Sequence, residues 1–352
     1  MCNIAGYAGT KQAAPILLEM LRKQEPYDGD MSTGIATIHE GKLHYRKITG
    51  TVDEMIANTD VLDLPGTIGI AHTRPGVSMD GVPYHPFLNP EKTLALVTNG
   101  TTPTTKYAPQ WTEAALMLKN AGYDFVHKDP IPEDKPLAHP YLEETRQFLC
   151  VAEERALLVD YYSKQGMPLT QALAKTCDIM ISDNATVFLT EQDPDHFYAL
   201  RTTRPLLIAM EDGQTYMATA RFGLPEHLAQ EAAYLPLQNA CVIGRDGYAV
   251  TPDKMTVEAV SDMTPYSFKE AYAKFEEFLT SEKAPVYFDQ LEYFADELRY
   301  IWPGDHTYVQ NARLVYDMLW QFEQEGRLCK ELRTQNLKNG RSRRRWYFWL
   351  DK

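Results

Sequence analysis

Apolar and polar positions alternate along this chain in two distinct rhythms. Residues 2–9 alternate small and apolar side chains and read as a buried strand ending in glycine. Ile16, Leu17, Met20 and Leu21 then recur at helical spacing, which predicts a helix over 13–23. The stretch 31–46 reads as two strands, 33–38 and 42–46, joined at Glu40-Gly41. Residues 66–74 and 93–98 are further buried strands, the second stopping at Asn99-Gly100. A helix near 111–121 precedes 129–141, where Pro130, Pro132, Pro136 and Pro140 mark a loop or insertion. A helical segment over about 142–176 breaks at Gly166-Met167-Pro168. Strands resume at 178–181, 185–190, 196–200, 205–209 and 215–219, with turn signals at Asp193-Pro194 and Asp212-Gly213. This order suggests a layered α+β domain with two sheets enclosing helices, closing near Asp262 to Pro265.

The pattern changes after that point. Phe268, Tyr272, Phe275 and Leu279 form one face of an amphipathic helix over 267–279, and helical patterns recur at 288–301 and 307–325. Residues 327–333 and 345–350 read as a hairpin with Asn339-Gly340 at its turn, the outline of a winged-helix-like module. Residues 331–352 hold seven Lys/Arg against two Asp/Glu. The cluster Lys338, Arg341, Arg343, Arg344 and Arg345 beside Trp346 raises nucleic-acid binding. The preferred reading is a docking or dimerisation element whose basic hairpin meets the acidic remainder of the chain, the latter case giving a homo-oligomer.

At 352 residues the chain suggests two domains, divided as 1–262 and 263–352. A formal charge of −13 argues against nonspecific binding of nucleic acid or acidic membranes by the chain as a whole. The five cysteines (Cys2, Cys150, Cys177, Cys241, Cys329) are scattered and form no CxxC pair, so neither a disulfide framework nor a metal site is expected, and no cofactor is called for. No basic, apolar leader and no run of membrane-spanning length is visible, and the expected location is the cytoplasm.

Three places carry candidate chemistry. Loss of Met1 would leave Cys2 with its own free α-amine, a nucleophile and a base on one residue. A small second residue permits that removal. His72-Thr73-Arg74 lies at a strand end, and the planar fork of Arg74 suits a carboxylate. Asn99-Gly100 reads either as a hairpin turn or as an oxyanion hole built from a side-chain amide and a backbone N–H.

Taken together, Cys2, His72-Thr73-Arg74 and Asn99-Gly100 resemble in order and spacing the class II glutamine amidotransferases, in particular the glutaminase domain of glutamine–fructose-6-phosphate aminotransferase. The opening is similar to that family's Cys-Gly-Ile-Val-Gly-Tyr start, and residues 27–36 resemble its Arg-Gly-Tyr-Asp-Ser-Ala-Gly-Ile-Ala segment. Residues 197–208 resemble its Leu-Ala-Ala-Arg and Pro-Leu-Val-Ile strands, so the likeness runs over about 2–250. It implies a four-layer αββα N-terminal-nucleophile hydrolase sandwich. It further implies Cys2 as nucleophile, Asn99 and Gly100 as oxyanion donors, and Arg74 with Thr73 on the carboxylate end of glutamine or a related amide. The released ammonia would go to a separate acceptor protein.

The chain departs from the family in three places. Asn3 stands where the family has Gly. Pro75-Gly76-Val77 replaces Trp-Ala-Thr, which leaves Ser78 to supply a polar contact. The acidic segment expected after Gly122-Tyr123-Asp124-Phe125 is not recognisable, so Asp129, or Glu153 and Glu154, are left to meet the substrate amine. The bland alternative for Glu153 and Glu154 is a solvated helix face. Two other readings of the whole chain remain: a non-catalytic fold kept for ligand or protein binding, and an amidase for a different amide.

Overall fold

The structure is a computed structural model that describes residues 2–76, 83–100, 108–130, 141–142, 147–256, 265–281, 283–304, 309–336 and 342–351. Two antiparallel sheets dominate it. The first has seven strands, with Asn3–Ala8 hydrogen-bonded between Gln214–Ala218 and Ile68–Arg74, and Ser32–His39 and Lys42–Ile48 completing one side. The second has six, with Asn184–Thr190 between Leu94–Gly100 and Asp193–Arg201.

Alternation along the strands explains how these sheets stack, because successive side chains point to opposite faces. Ile4, Ile68, Ile70 and Met217 of the first sheet meet Ala95, Val97, Val187 and Phe197 of the second in one buried cluster. The opposite face of the first sheet carries Ala5, Tyr7, Ile35 and Ala71, which pack under Leu17, Leu18 and Leu21 of helix Ala13–Gln24. The opposite face of the second carries Leu96, Phe188, Tyr198 and Leu200, covered by Trp111, Leu158 and Leu173 of helices Ala108–Asn120, Val151–Lys164 and Leu169–Ile179. The layers therefore run helix, sheet, sheet, helix. Two sheets enclosing helices is corrected by this packing: the sheets are innermost, since each offers two apolar faces, one to the other sheet and one to its helices.

Local expectations met the same physics. The turn at Glu40 and Gly41 takes φ of 49° and 72°, the left-handed pair a two-residue hairpin needs. Residues 178–181 are not a strand: Asp178 and Ile179 close helix Leu169–Ile179, and Met180 and Ile181 lead out of it towards strand Asn184–Thr190. A run as short as Ile179-Met180-Ile181 fits either element. The helix expected from 142 starts at Val151, preceded by the short strand Gln147–Leu149 paired to Lys128–Pro130. Asp193-Pro194 is no turn either; it opens strand Asp193–Arg201, where a proline forfeits no essential ladder bond. The proline-rich stretch over 131–140 and the junction over 257–264 lie outside the described residues.

The C-terminal residues bring their own core. Helices Phe268–Leu279, Phe288–Glu297 and Asn311–Gln324 enclose Phe275, Phe288, Leu291, Leu314, Leu319 and Phe322 over a sheet ordered Val286–Tyr287, Ser342–Leu350, Leu328–Asn336. The same cluster includes Tyr27, whose ring stacks on Phe222 at 4.6 Å and Phe348 at 5.7 Å. The hairpin expected at 327–350 is present, although its tip at 337–341 lies outside the described residues.

Charge closes the seam. Arg345, 1% exposed, donates to Asp28 at 3.0 Å and to Asp289 at 3.3 Å. Arg343 lies 3.6 Å from each of the same two carboxylates, and the Arg344 backbone N–H donates to Asp30 at 2.6 Å. The guanidinium groups of Arg343 and Arg345 are thus spent within the chain, while Arg344 is exposed and gives only its backbone N–H. Arg345→Ala would remove the 3.0 Å partner of the buried Asp28 and leave Arg343 at 3.6 Å. It is therefore expected to cost more than about 1 kcal/mol in denaturant-induced unfolding, but less than the roughly 3–5 kcal/mol of a fully broken buried pair. Arg333→Ala, whose partner Glu331 is exposed, should cost less than about 1 kcal/mol in the same measurement.

Candidate functional site

Three strand ends converge on Cys2. Asn3 pairs with Thr73 and Ile4 with His72, so Cys2 sits beside the end of strand Ile68–Arg74. On the other flank, the Ile4 N–H donates to the Thr219 hydroxyl at 2.8 Å, and the Thr219 N–H returns to the Ile4 carbonyl at 3.1 Å. From the facing sheet, the Asn99 side-chain amide donates to the Cys2 carbonyl oxygen at 2.7 Å. That single contact puts an amide donor from one sheet against the candidate nucleophile of the other.

Asn99-Gly100 is therefore not a turn. Both residues stay in the ladder, Asn99 opposite Ala185 and Gly100 opposite Asn184. Gly100 is required there by close approach: a Cβ would lie 2.4 Å from the Asp183 carbonyl oxygen. Since an Asn amide has two N–H bonds and one serves Cys2, the second is available to another acceptor.

Thr73 is fully buried, and its hydroxyl accepts from the Asn3 amide at 3.0 Å. That same amide donates to the Asp28 carbonyl. Asn3 thus turns away into the sheet. Gly29, at φ +118°, makes the room, since a Cβ there would come within 2.7 Å of the Asn3 amide nitrogen. Arg74 lays its guanidinium over the Tyr84 ring at 4.1 Å, and its Nε is buried without a partner. Lys47 fixes that ring's backbone by donating to the Tyr84 and Pro86 carbonyls at 3.0 and 3.3 Å. Ser78 lies outside the described residues. Asp129 lies in strand Lys128–Pro130.

The acidic alternatives fare differently from a solvated helix face. Glu153 is buried, and its carboxylate accepts from the Val126 and His127 N–H groups at 2.9 Å each. Glu154 is fully buried with neither carboxyl oxygen partnered, and desolvation raises it well above the ordinary range. Both are corrected to interior residues. The helix they open packs on every side between sheet and neighbouring helices, which no local periodicity reveals. Cys150, the residue before that helix, has its thiol pushed up to about 12, chiefly by desolvation.

His72 is part of the core and not of the chemistry. Its Nε2 lies 3.1 Å from the Thr98 carbonyl, which can only accept, so Nε2 carries the proton. Its ring packs 3.8 Å from that of His85. Burial, with Arg74 adding repulsion, lowers it to about 3 from the ordinary 6.5. Among the described residues no group of three or more His, Cys, Asp or Glu side chains is placed to hold a metal, and no helix is long and apolar enough to cross a membrane.

Sequence reasoning passed over Arg204. It is buried between Asp183, at 2.7 Å, and Glu292 of the C-terminal unit. Burial alone would lower it, but the two carboxylates raise it. Its position after strand Asp193–Arg201 gave no periodic signal, and its partners are 21 and 88 positions away in sequence (204−183 and 292−204).

Fold and strand-end geometry together set a helix, sheet, sheet, helix sandwich with Cys2 where its strand ends meet. By sequence and by fold the chain resembles the class II glutamine amidotransferases. It is 30% identical over 223 residues to glutamine–fructose-6-phosphate aminotransferase (isomerizing) of Caldanaerobacter subterraneus subsp. tengcongensis, covering 62% of this chain and 31% of that protein. The protein of the same name from Pyrococcus horikoshii is 28% identical over 256 residues, covering 71% and 37%. The chain thus spans about a third of the length of the curated relatives it matches. In fold it is similar to glutamine phosphoribosylpyrophosphate amidotransferase from B. subtilis, with a TM-score of 0.54 at 18% identity over 78% of this chain and 57% of that one. It is similar also to the allosteric regulatory enzyme of purine biosynthesis, with a TM-score of 0.55 at 18% identity over 80% and 58%. No family model matches the chain.

The low value of His72 has a thermodynamic sign. The unfolded chain takes up a proton near 6.5, while the folded chain resists until about 3, so stability falls as pH drops through that window. His72 is expected to stay neutral from about pH 5 to 8 in nitrogen-15 NMR of labelled histidine. A titration near 6.5 would contradict its placement.

Proposed function

We propose that the chain is an amide hydrolase of the glutamine amidotransferase kind, with Cys2 as nucleophile once Met1 is removed. The observation that carries this reading is the Asn99 amide held 2.7 Å from the Cys2 carbonyl. An oxyanion donor is thereby fixed beside the nucleophile before substrate arrives, which is where preorganised donors have most effect. The Cys2 α-amine takes the thiol proton, and the thiolate attacks the side-chain carboxamide carbon of glutamine. The second N–H of Asn99 and the backbone at Gly100 stabilise the oxyanion. Collapse breaks the C–N bond, the amine-held proton leaves with ammonia, and water resolves the γ-glutamyl thioester to glutamate. Arg74, whose Nε has no partner among the described residues, grips the α-carboxylate, with Ser78 assigned to the same end by the family likeness and Thr73 holding the strand end through Asn3.

The ammonia passes to a separate acceptor protein in this account. The curated relatives extend about twice as far again beyond the matched region, so an acceptor activity of their kind would lie outside it. Residues 1–262 form the hydrolase unit and 263–352 a winged-helix-like unit. The order helix, short strand, two helices, then a hairpin whose last strand pairs with the first supports the latter assignment. Its half-buried Arg343 and buried Arg345, both paired with Asp28, favour a docking role over nucleic-acid binding.

A second reading has an observation behind it. Glu153 is spent on backbone N–H groups and Glu154 is held neutral, so neither carboxyl of that helix is placed to meet an α-amine. That favours an ω-amide acid without an α-amino group as substrate. Comparing glutamine with glutaramate, the same molecule lacking the amine, separates the two: a higher kcat/KM for glutaramate would establish the second.

Ammonia release by Met1-free protein should vanish in Cys2→Ala. Asn99→Ala should lower kcat by about 10²–10³ with little change in KM. Arg74→Ala should raise KM by about ten- to a hundred-fold, the loss of one charge-assisted carboxylate contact. Unchanged turnover in Cys2→Ala would end the proposal.

A further inference from the structure

Two hydrogen-bonded chains run from the C-terminal unit to the two flanks of Cys2. The first starts at Arg345, which donates to Asp28 at 3.0 Å. The backbone carbonyl of that same Asp28 accepts from the Asn3 amide, and Asn3 is the residue bonded to Cys2. Arg345 is 1% exposed and Asp28 3%, so this pair is held in the interior with little water to weaken it. Asp289, from helix Phe288–Glu297, braces Arg345 from the other side at 3.3 Å.

The second chain starts at Glu292 on the same helix. It holds Arg204, which holds Asp183 at 2.7 Å, and the Thr203 hydroxyl donates to the other oxygen of Asp183. Asp183 in turn backs Gly100: its carbonyl oxygen occupies the place a Gly100 Cβ would need, and its neighbour Asn184 pairs with Gly100 in the ladder. One chain therefore ends on the residue after Cys2. The other ends on the strand tip that carries Asn99 and Gly100.

Between these flanks lies Tyr316 of helix Asn311–Gln324, 2% exposed, whose hydroxyl is buried without a partner. Its ring packs at 4.6 Å from Phe288 and 6.1 Å from Tyr27. Another contact seats the unit without touching either flank. Tyr234, outside the unit, donates to Asp317 at 2.6 Å.

We propose that Arg345 and Glu292 are positioning residues of the Cys2 site, so that the seating of the C-terminal unit sets the geometry of nucleophile and oxyanion donors. This rests on the hydrolase reading of Cys2. The physical basis is that misplacing a reacting group by about 1 Å costs up to about 10²-fold in rate, even when the change is made far from the chemistry. Neither residue touches substrate. Each acts through a carboxylate or guanidinium whose backbone abuts the site.

The test uses full-length, Met1-free protein carrying Glu292→Gln, with Arg345→Gln as a second variant and Tyr234→Phe as a control on docking alone. Glu292→Gln keeps the shape of the side chain at a position that retains 21% exposure, so the fold is expected to survive it. Amide hydrogen exchange is followed in peptides over 2–6, 97–100 and 183–186, beside kcat and KM for ammonia release from glutamine. Glu292→Gln should speed exchange over 97–100 and 183–186 by about five-fold or more, Arg345→Gln should do so over 2–6, and Tyr234→Phe should leave all three unchanged. In Glu292→Gln, kcat should fall about ten- to a hundred-fold with KM within about two-fold. Unchanged exchange at these peptides overturns the inference. Faster exchange in a protein whose wild type releases no ammonia upholds the positioning and sinks the hydrolase reading instead.

Discussion

A buried charge must be answered, and in this protein the answer to Arg345 organises the molecule. Its guanidinium is 1% exposed and its partner Asp28 3%, where an unpaired ion would cost several kcal/mol. Asp28 satisfies it, and Asp28 is also the residue whose carbonyl fixes Asn3. The C-terminal hairpin cannot leave without stranding the carboxylate of the residue whose carbonyl holds Asn3. The aromatic stack of Tyr27 on Phe222 and Phe348 adds apolar area to the same junction. What could be taken for an appended module is thus tied to the start of the chain by Arg343 and Arg345 on Asp28 and by the Arg344 and Trp346 N–H groups on Asp30 and the Pro26 carbonyl.

The site itself follows from stacking two sheets whose strand ends meet. Small residues along the first strand allow the sheets to approach: at Gly6 a Cβ would press to 2.9 Å against Met217 and Phe197. That closeness lets Asn99, at the end of a strand in one sheet, reach Cys2 at the head of a strand in the other. Rigid strands on both sides hold a nucleophile and an oxyanion donor better than loops would. The low value of His72, the raised Glu154 and the raised thiol of Cys150 share one cause, the dry interior that surrounds this edge.

Much of this was legible in sequence, for identifiable reasons. The glycine- and alanine-rich strands, the Glu40-Gly41 turn and the 13–24 helix each announce themselves within a few residues, and the structure places them within a residue or two. Cys2, Arg74 and Asn99 stood out because each type has a specific chemical use at a chain start or strand end. Burial of Glu153 and Glu154 was not legible, because the helix they open is covered by elements distant in sequence. Helix and strand were confused at 178–181, where an apolar run is too short to show a period. The Arg345–Asp28 pair spans 317 positions, and nothing in a linear reading links a basic hairpin to an acidic turn at that separation. Charge statistics said only that the hairpin was basic and the remainder acidic.

The central claim is that Cys2 forms a thioester with the carbonyl carbon of an amide substrate. It is tested most directly by mixing Met1-free protein with glutamine, quenching in acid within the first turnover, and mapping the acylated peptide by mass spectrometry. The account predicts a glutamyl adduct on the peptide that begins with Cys2, labile to hydroxylamine as a thioester should be. Ammonia released with no adduct there, or an adduct on Cys150 instead, would contradict it.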